Sequence, residues 1–348
     1  MSPARAGAMD GFDYELPEAA IAQTPVEPRS AARLLIALEP GEEPGDATVA
    51  DLPGLLRPGD LLVVNETRVL PARLVLEKGS GGRVEVLLLE PAPGAGPATG
   101  ATSWVALVRP GRRVPPGTEL LHEGEVAVVA GAVLPGEEGR RHVELVDGGL
   151  PGRIGRVPLP PYIQAELADP ERYQTVYAAA PGSVAAPTAG LHLTDEVLEA
   201  CRRAGAAVAT VDLVVGLDTF RPISAERPED HVMHSEAYRV PEATLEACAR
   251  AGRVVAVGTT TVRALESAAS SGRAEGRTTL FIRGDYDFRV VDLLLTNFHL
   301  PRSSLLLLVD AFYGPRWAGL YRTALERGYR FLSFGDAMLL GRGAGRPA

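Results

Sequence analysis

Apolar positions in the first half of the chain recur in short bursts interrupted by Gly and Pro. Between residues 61 and 148 the segments Leu61–Val64, Arg73–Glu77, Arg83–Leu89, Trp104–Val108, Glu125–Val129 and His142–Val146 have strand length. The Gly-Ser-Gly-Gly run at 79–82 and the Pro/Gly/Ala stretch at 91–100 serve as connectors. No segment of helical period lies between them, so the block predicts a six-stranded antiparallel β-barrel over residues 66–155. From about residue 181 the rhythm changes to helices alternating with Val- and Leu-rich runs, the pattern of an α/β domain. Thr194 can cap a helix whose first turn holds Asp195 and Glu196 and which ends at Gly205, ahead of a strand over Ala207–Val215. A helix over Pro241–Ala251, Gly252 and a strand over Arg253–Val257 repeat that order. Further strands are expected at Thr278–Ile282, Val290–Asn297 and near Phe331–Phe334, with helices from about Ser303 and Trp317. Residues 11–60 hold helix and loop signals such as Pro17–Gln23, and are expected to pack with the later α/β part. The predicted fold is therefore a discontinuous α/β domain, residues 1–65 plus 156–348, with the barrel inserted.

Composition narrows the function classes. With 46% hydrophobic and 23% charged residues over 348 positions, the chain is globular and not disordered. Its longest apolar candidate, Leu305–Val309, is cut by Asp310, so no membrane span is expected. Residues 1–10 lack the apolar core of a secretory signal, which makes the cytoplasm the expected location. Cys201 and Cys248 lie far apart in helical patterns, and a disulfide framework is not expected. The net charge of −9 excludes coating of nucleic acid by charge alone, but not a specific RNA site. Basic charge is arginine except for Lys78, and Arg109, Arg112 and Arg113 cluster in what reads as a solvated loop.

Four segments could carry chemistry. Ala185–His192 contains Thr188 and Gly190, is rich in small residues and leads into the capped helix, as a backbone does when it approaches a ligand closely. His192 could there act as acid, base or donor, or could be a structural histidine in a tight turn. Gly258-Thr259-Thr260-Thr261-Val262-Arg263 follows a strand and opens a helix, which suits an anion, but it lacks the spacing of a nucleoside-triphosphate loop. A plain Thr cap with Arg263 and Glu266 paired is the alternative. His231-Val232-Met233-His234-Ser235-Glu236 gathers two imidazoles and a carboxylate, yet no further ligands complete a zinc pattern, so no metal is expected. Asn297-Phe298-His299-Leu300-Pro301 places Asn297 and His299 at the end of an apolar strand, where α/β sheets bind ligands. His192, His234 and His299 are expected to face one cavity.

These motifs, with Phe12–Pro17, Asn65-Glu66-Thr67-Arg68-Val69, Pro158–Ile163, Tyr173–Tyr177 and Gly335–Met338, resemble the S-adenosylmethionine:tRNA ribosyltransferase-isomerase family of queuosine biosynthesis over nearly the whole chain. The resemblance implies an α/β domain with an inserted barrel. It also implies transfer and isomerisation of the ribosyl part of S-adenosylmethionine onto the aminomethyl group of 7-aminomethyl-7-deazaguanine in the tRNA anticodon loop. Epoxyqueuosine, adenine and methionine are the products. The partners implied are tRNA and S-adenosylmethionine, the latter a consumed co-substrate, with no true cofactor and no obligate protein partner. Carried over residue by residue, His192, His299, His234 and Glu236 become catalytic candidates, and Thr188, Gly190, Gly258, Thr259, Thr260, Arg263, Asn297 and Arg68 substrate-binding ones. Proton transfer is expected at His192 or His299. Glu236 is assigned to the sulfonium or ribose hydroxyls, and the Gly258–Arg263 turn to the methionine carboxylate or a tRNA phosphate. The chain departs from the family pattern at Val214 (commonly His), Asp218 (Gly), Glu66 (Asn) and Arg302 (Glu). Those departures keep two alternatives in view: a relative with a small-molecule acceptor, and a non-catalytic RNA-binding module.

Overall fold

The computed structural model describes residues 9–39, 41–96, 98–136, 139–216 and 222–343. The chain divides into two compact units, one of Met1–Glu66, Pro160–Ala178 and Pro187–Ala348, the other of Thr67–Leu159 and Ala179–Ala186. In chain order the first unit opens with β1 (Arg33–Ala37), β2 (Gly45–Thr48), α1 (Leu52–Leu55) and β3 (Asp60–Asn65). The second supplies β4 (Thr67–Val69), β5 (Arg73–Lys78), β6 (Arg83–Pro91), β7 (Ser103–Arg109), β8 (Glu119–His122), β9 (Glu125–Val133), β10 (Arg140–Leu145), α2 (Leu150–Ile154) and β11 (Ala180–Ser183). The first unit resumes with α3 (Asp195–Arg203), β12 (Ala207–Leu213), β13 (Glu236–Arg239), α4 (Glu242–Arg250), β14 (Arg253–Val257) and α5 (Thr259–Ser271). It ends with β15 (Glu275–Thr278), β16 (Leu293–Asn297), α6 (Ser304–Tyr313), α7 (Trp317–Glu326) and β17 (Ala337–Gly341). No described helix is long and apolar enough to cross a membrane.

In the second unit a closed antiparallel barrel runs β10-β7-β6-β5-β8-β9. Two elements differ from the sequence-based expectation. Leu61–Val64 is not a barrel strand: every residue of β3 is buried, because neighbouring strands and helices enclose it in the other unit. Its place in the barrel is taken by β8, whose short Glu-Leu-Leu-His run carries little pattern of its own. A tight turn joins β8 to β9 through Glu123 (φ 51°) and Gly124 (φ 87°), both left-handed, as a type I′ hairpin turn requires. Residues 179–186, expected in the α/β part, join the second unit instead, because β11 pairs in parallel with β4.

The first unit is built on a nine-stranded sheet in the order β15-β13-β12-β3-β14-β16-β17-β1-β2. Residues 11–60, where only helix and loop signals were read, supply its strands β1 and β2, and Pro17–Gln23 forms just a 3-10 turn at Glu18–Ala20. The last strand is β17, while Phe331–Phe334 is a turn; β15 ends at Thr278, where the expected strand began. β12, β3, β14 and β16 are parallel neighbours, so their carboxyl ends, Leu213, Asn65, Val257 and Asn297, share one edge. β13 runs antiparallel to β12, which brings its first residue, Glu236, to that same edge. From β3 the chain passes to β12 on one side and then to β14 on the other. This reversal of strand order opens a crevice at the carboxyl edge, the usual ligand position in such sheets. α3 and α1 cover one face through Leu52, Val197, Leu198 and Cys201 against Leu62, Val64, Val255 and Leu295. α3 starts as expected, with the Thr194 hydroxyl accepting from the Val197 N–H.

Asn65 ties the crevice together. Its Nδ2 donates to Leu213 C=O (3.1 Å) and Thr260 Oγ1 (3.3 Å), and its Oδ1 accepts from Leu213 N–H (3.1 Å). An alanine there would leave a buried backbone donor and acceptor unmatched. Asn65→Ala is accordingly expected to cost about 2–4 kcal/mol, read from the urea midpoint; a loss below about 0.5 kcal/mol would deny these bonds any role in stability.

Candidate active site

Asn297 ends β16 and is 2% exposed. Its Oδ1 accepts from the Thr188 hydroxyl (2.9 Å), and its Nδ2 lies 3.0 Å from His192 Nε2 and 3.3 Å from Leu332 C=O. A carbonyl can only accept, so the amide nitrogen faces Leu332 and His192, and His192 Nε2 must present a lone pair. The ring therefore carries its proton on Nδ1. Leu332 reaches this position with φ 69°, a left-handed conformation that costs a leucine energy, and Asp336 secures the turn by accepting from the N–H groups of Arg33 (2.9 Å) and Arg330 (2.7 Å). His192 closes the 3-10 turn Thr188–His192, which the Arg29 guanidinium anchors by donating to Leu191 C=O (3.1 Å) and Gln174 C=O (2.8 Å). Burial, reinforced by Arg330, Arg172 and Arg29, lowers the His192 pKa to about 3.

His299 follows two residues after Asn297. Its Nε2 is 3.0 Å from Thr296 Oγ1, its N–H donates to the Tyr321 hydroxyl (3.1 Å), and its C=O accepts from the Tyr14 hydroxyl. Aromatic rings brace this turn, with Phe298 stacked on Phe331 at 4.6 Å and Tyr14 edge-on to Tyr321 at 5.2 Å. Burial lowers the His299 pKa to about 3 as well. His299 joins Thr188, Asn297, Tyr162, Leu332 and Ser333 around an open pocket of about 300 Å³.

A second pocket, of about 490 Å³, is lined by His231, Met233, His234, Glu236, Arg263 and residues 280–282, with Leu305 common to both. Glu236 Oε1 accepts from Gly216 N–H (3.1 Å), and its Oε2 pairs with Arg263 Nη1. Arg263 is thus not the partner of Glu266, the alternative that the i,i+3 spacing allowed. Glu266 instead accepts from the N–H groups of Arg289 (2.9 Å), Val290 (3.0 Å) and Val291 (3.2 Å). The α5 terminus carries no side-chain cap either: Gly258 occupies the cap position with φ 88°, a conformation that calls for glycine. Thr259 and Thr260 are buried in the first turn.

Of the three histidines expected to face one cavity, His299 is among the residues of one pocket and His234 of the other, the two pockets sharing Leu305, while His192 lines neither and is hydrogen-bonded to Asn297. Gly190 is glycine for packing: a Cβ there would stand 1.9 Å from the Tyr177 hydroxyl oxygen. Arg68 belongs to the second unit, in β4, paired with Pro181. Asn65 and Tyr162 fall only within motifs of the family resemblance, and Ser333 and Phe281 only within expected strands, so none of the four is among the site candidates. Among the described residues no group of three or more His, Cys, Asp or Glu side chains is placed to hold a metal ion.

A profile of the family described as queuosine biosynthesis protein matches residues 9–340. The chain belongs to that family. Relatives named S-adenosylmethionine:tRNA ribosyltransferase-isomerase include those of Gloeobacter violaceus, 50% identical over 97% of this chain and 96% of that protein, and of Rubrobacter xylanophilus, 51% identical over 97% and 98%. The crystal structure of S-adenosylmethionine tRNA ribosyltransferase from Thermotoga maritima is 37% identical, covers 95% of this chain and 99% of its own, and aligns with a TM-score of 0.54. Within this queuosine biosynthesis family member, the departure at Arg302 is charge-compensated: its guanidinium meets Asp10 at 2.7 Å and Asp13 at 4.0 Å. Val214 follows the β12 run with its N–H on Ala237 C=O (3.0 Å), and Glu66 donates its N–H to Val211 C=O (2.9 Å). Asp218 lies outside the described residues.

Gly190→Ala is expected to cost about 1–3 kcal/mol by overpacking, and Tyr177→Phe in the same chain to restore part of it. Equal thermal stability of Gly190→Ala and the parent would refute the contact. The histidines predict a pH dependence. Their folded pKa lies below the unfolded value near 6.5, so the unfolded chain binds more protons between about 3 and 6.5, and stability falls as pH drops through that window. His192→Gln with His299→Gln should flatten the slope of midpoint against pH there. An unchanged slope would mean the rings titrate normally.

Proposed function

We propose that the chain transfers and isomerises the ribosyl moiety of S-adenosylmethionine onto the aminomethyl group of 7-aminomethyl-7-deazaguanine in the tRNA anticodon loop. The products are epoxyqueuosine, adenine and methionine. One observation carries this reading: the polar side chains of four separate family motifs, His192, Asn297, His299, Glu236 and Arg263, gather at one edge of the sheet. The chain is moreover about half identical, nearly end to end, to proteins named for that activity.

The chemistry asks for a base to remove the acidic proton beside the sulfonium and a free amine to attack the anomeric carbon. It also asks for a hydrogen bond to the leaving adenine, and ends in collapse to the epoxide with loss of methionine. His299 suits proton transfer better than His192. His299 is among the residues lining the pocket, its Nε2 shared with the Thr296 hydroxyl, whereas His192 is not among them and has its Nε2 lone pair on Asn297, which makes it a positioning residue. Both rings are neutral at physiological pH, so they can accept a proton but do not arrive carrying an extra one. A low pKa makes for a weak base, and the carbanion-stabilising sulfonium next to the proton lessens what is asked of it. S-adenosylmethionine is consumed, and no separate cofactor enters the reaction.

Adenine and methionine release from S-adenosylmethionine, with and without tRNA bearing the deazaguanine precursor, tests this reading. Release should depend on that tRNA, and His299→Gln should lower turnover about 100-fold or more. Release driven by a small amine, or no release at all, would favour the small-molecule acceptor or the non-catalytic module instead.

A further inference from the structure

Among the described residues, one donor of Arg263 meets no acceptor. Its side chain is 8% exposed; Nη1 pairs with Glu236, Nε donates to Leu280 C=O (3.2 Å), and Nη2 is buried without an acceptor among those residues. Most buried polar side-chain atoms in folded proteins have a partner, and this orphan, unlike those on Arg73, Arg141 and Arg172, belongs to a residue lining an open pocket. Glu236 lines the same pocket. With one bond from Gly216 and one from Arg263, its carboxylate keeps accepting capacity.

A cation and an anion held side by side, each with unused hydrogen-bonding capacity, match a ligand that presents the opposite pair at similarly close quarters. A phosphate would satisfy Nη2 but would bring its charge against the Glu236 carboxylate. A sulfonium alone would favour Glu236 and leave Nη2 unmet. An α-amino acid answers both, its carboxylate to Nη2 and its ammonium to Glu236. The other walls include Met233, Phe281, Leu305 and Leu308, apolar surface suited to methylene and thioether groups.

We propose that this pocket is the subsite for the zwitterionic amino-acid end of S-adenosylmethionine, Arg263 Nη2 taking the α-carboxylate and Glu236 the α-ammonium. The assignment rests on the reading of S-adenosylmethionine as substrate. It moves Glu236 away from the sulfonium and reserves Arg263 for the carboxylate rather than a tRNA phosphate.

Calorimetric titration of the unaltered protein with S-adenosylmethionine and with decarboxylated S-adenosylmethionine, which keeps the ammonium, sulfonium and adenosine, tests it without any substitution in a buried pair. The decarboxylated compound should bind at least about tenfold more weakly. Arg263→Gln should bring the two affinities together, while Glu236→Gln should weaken both and keep the preference for the carboxylate. Equal binding of the two compounds by the unaltered protein, in a preparation that still releases adenine with tRNA, overturns this subsite and leaves the proposed activity standing. Absence of S-adenosylmethionine binding together with absence of adenine release overturns both.

Discussion

One amide orders much of the α/β unit. Asn297 stands at the carboxyl end of an interior strand, registered against Ala337, and its buried side chain must satisfy both ends or cost stability. Thr188 meets the oxygen; His192 and the Leu332 carbonyl meet the nitrogen. Two segments remote in sequence are thereby fixed relative to β16, and a leucine is held in a left-handed conformation it would not choose alone. The histidine tautomer follows from the same bonds. Moving the amide would release the turn at 188–192 and the turn at 330–336 together.

Burial then decides what the imidazoles can do. A charged ring needs water or a carboxylate, and His192 has arginines in its surroundings while His299 is enclosed by Thr296 and an aromatic brace. Both stay neutral and serve as oriented hydrogen-bonding groups. The other pocket has the opposite character, with charge retained as the close pair Glu236–Arg263. Desolvating such a pair is costly, and its net contribution to folding is small at best. Its use is to place two opposite charges at a fixed separation beside open space.

Legibility of the fold depended on environment. Strands of the barrel were legible as short apolar segments broken by Gly and Pro with no helical period between them, and the Arg73–Lys78 strand alternates half-buried and buried positions along most of its length. The Asp60–Asn65 strand is covered on both faces, so its apolar run could not be told from its barrel neighbours. The strand Glu119–His122 escaped notice because four residues between turns are too few to establish an alternation. Helix starts with a capping hydroxyl, Thr194 and Ser303, were readable because the signal is local. The strands of residues 33–48 were missed because their partners are a distant strand, Ala337–Gly341, and each other.

For the site, residue order alone established which side chains were available: histidines, a carboxylate, an arginine and hydroxyls in short segments next to Gly or Pro, together with an α/β pattern and an inserted β block. Packing in three dimensions selected which of them meet. Parallel strand order brings the ends of the strands closing at Asn65, Leu213, Val257 and Asn297 to one edge, and that order is set by pairings between segments remote in sequence. Local spacing suggested Arg263 with Glu266, but packing assigned Arg263 to Glu236 and Glu266 to the backbone of residues 289–291. Four similar-looking motifs suggested one cavity for three histidines, but separate segments put them in separate surroundings. Residue type is a property of the chain; desolvation and partner choice belong to the packed sheet, because only the assembled neighbours determine which charges can be met once water is gone.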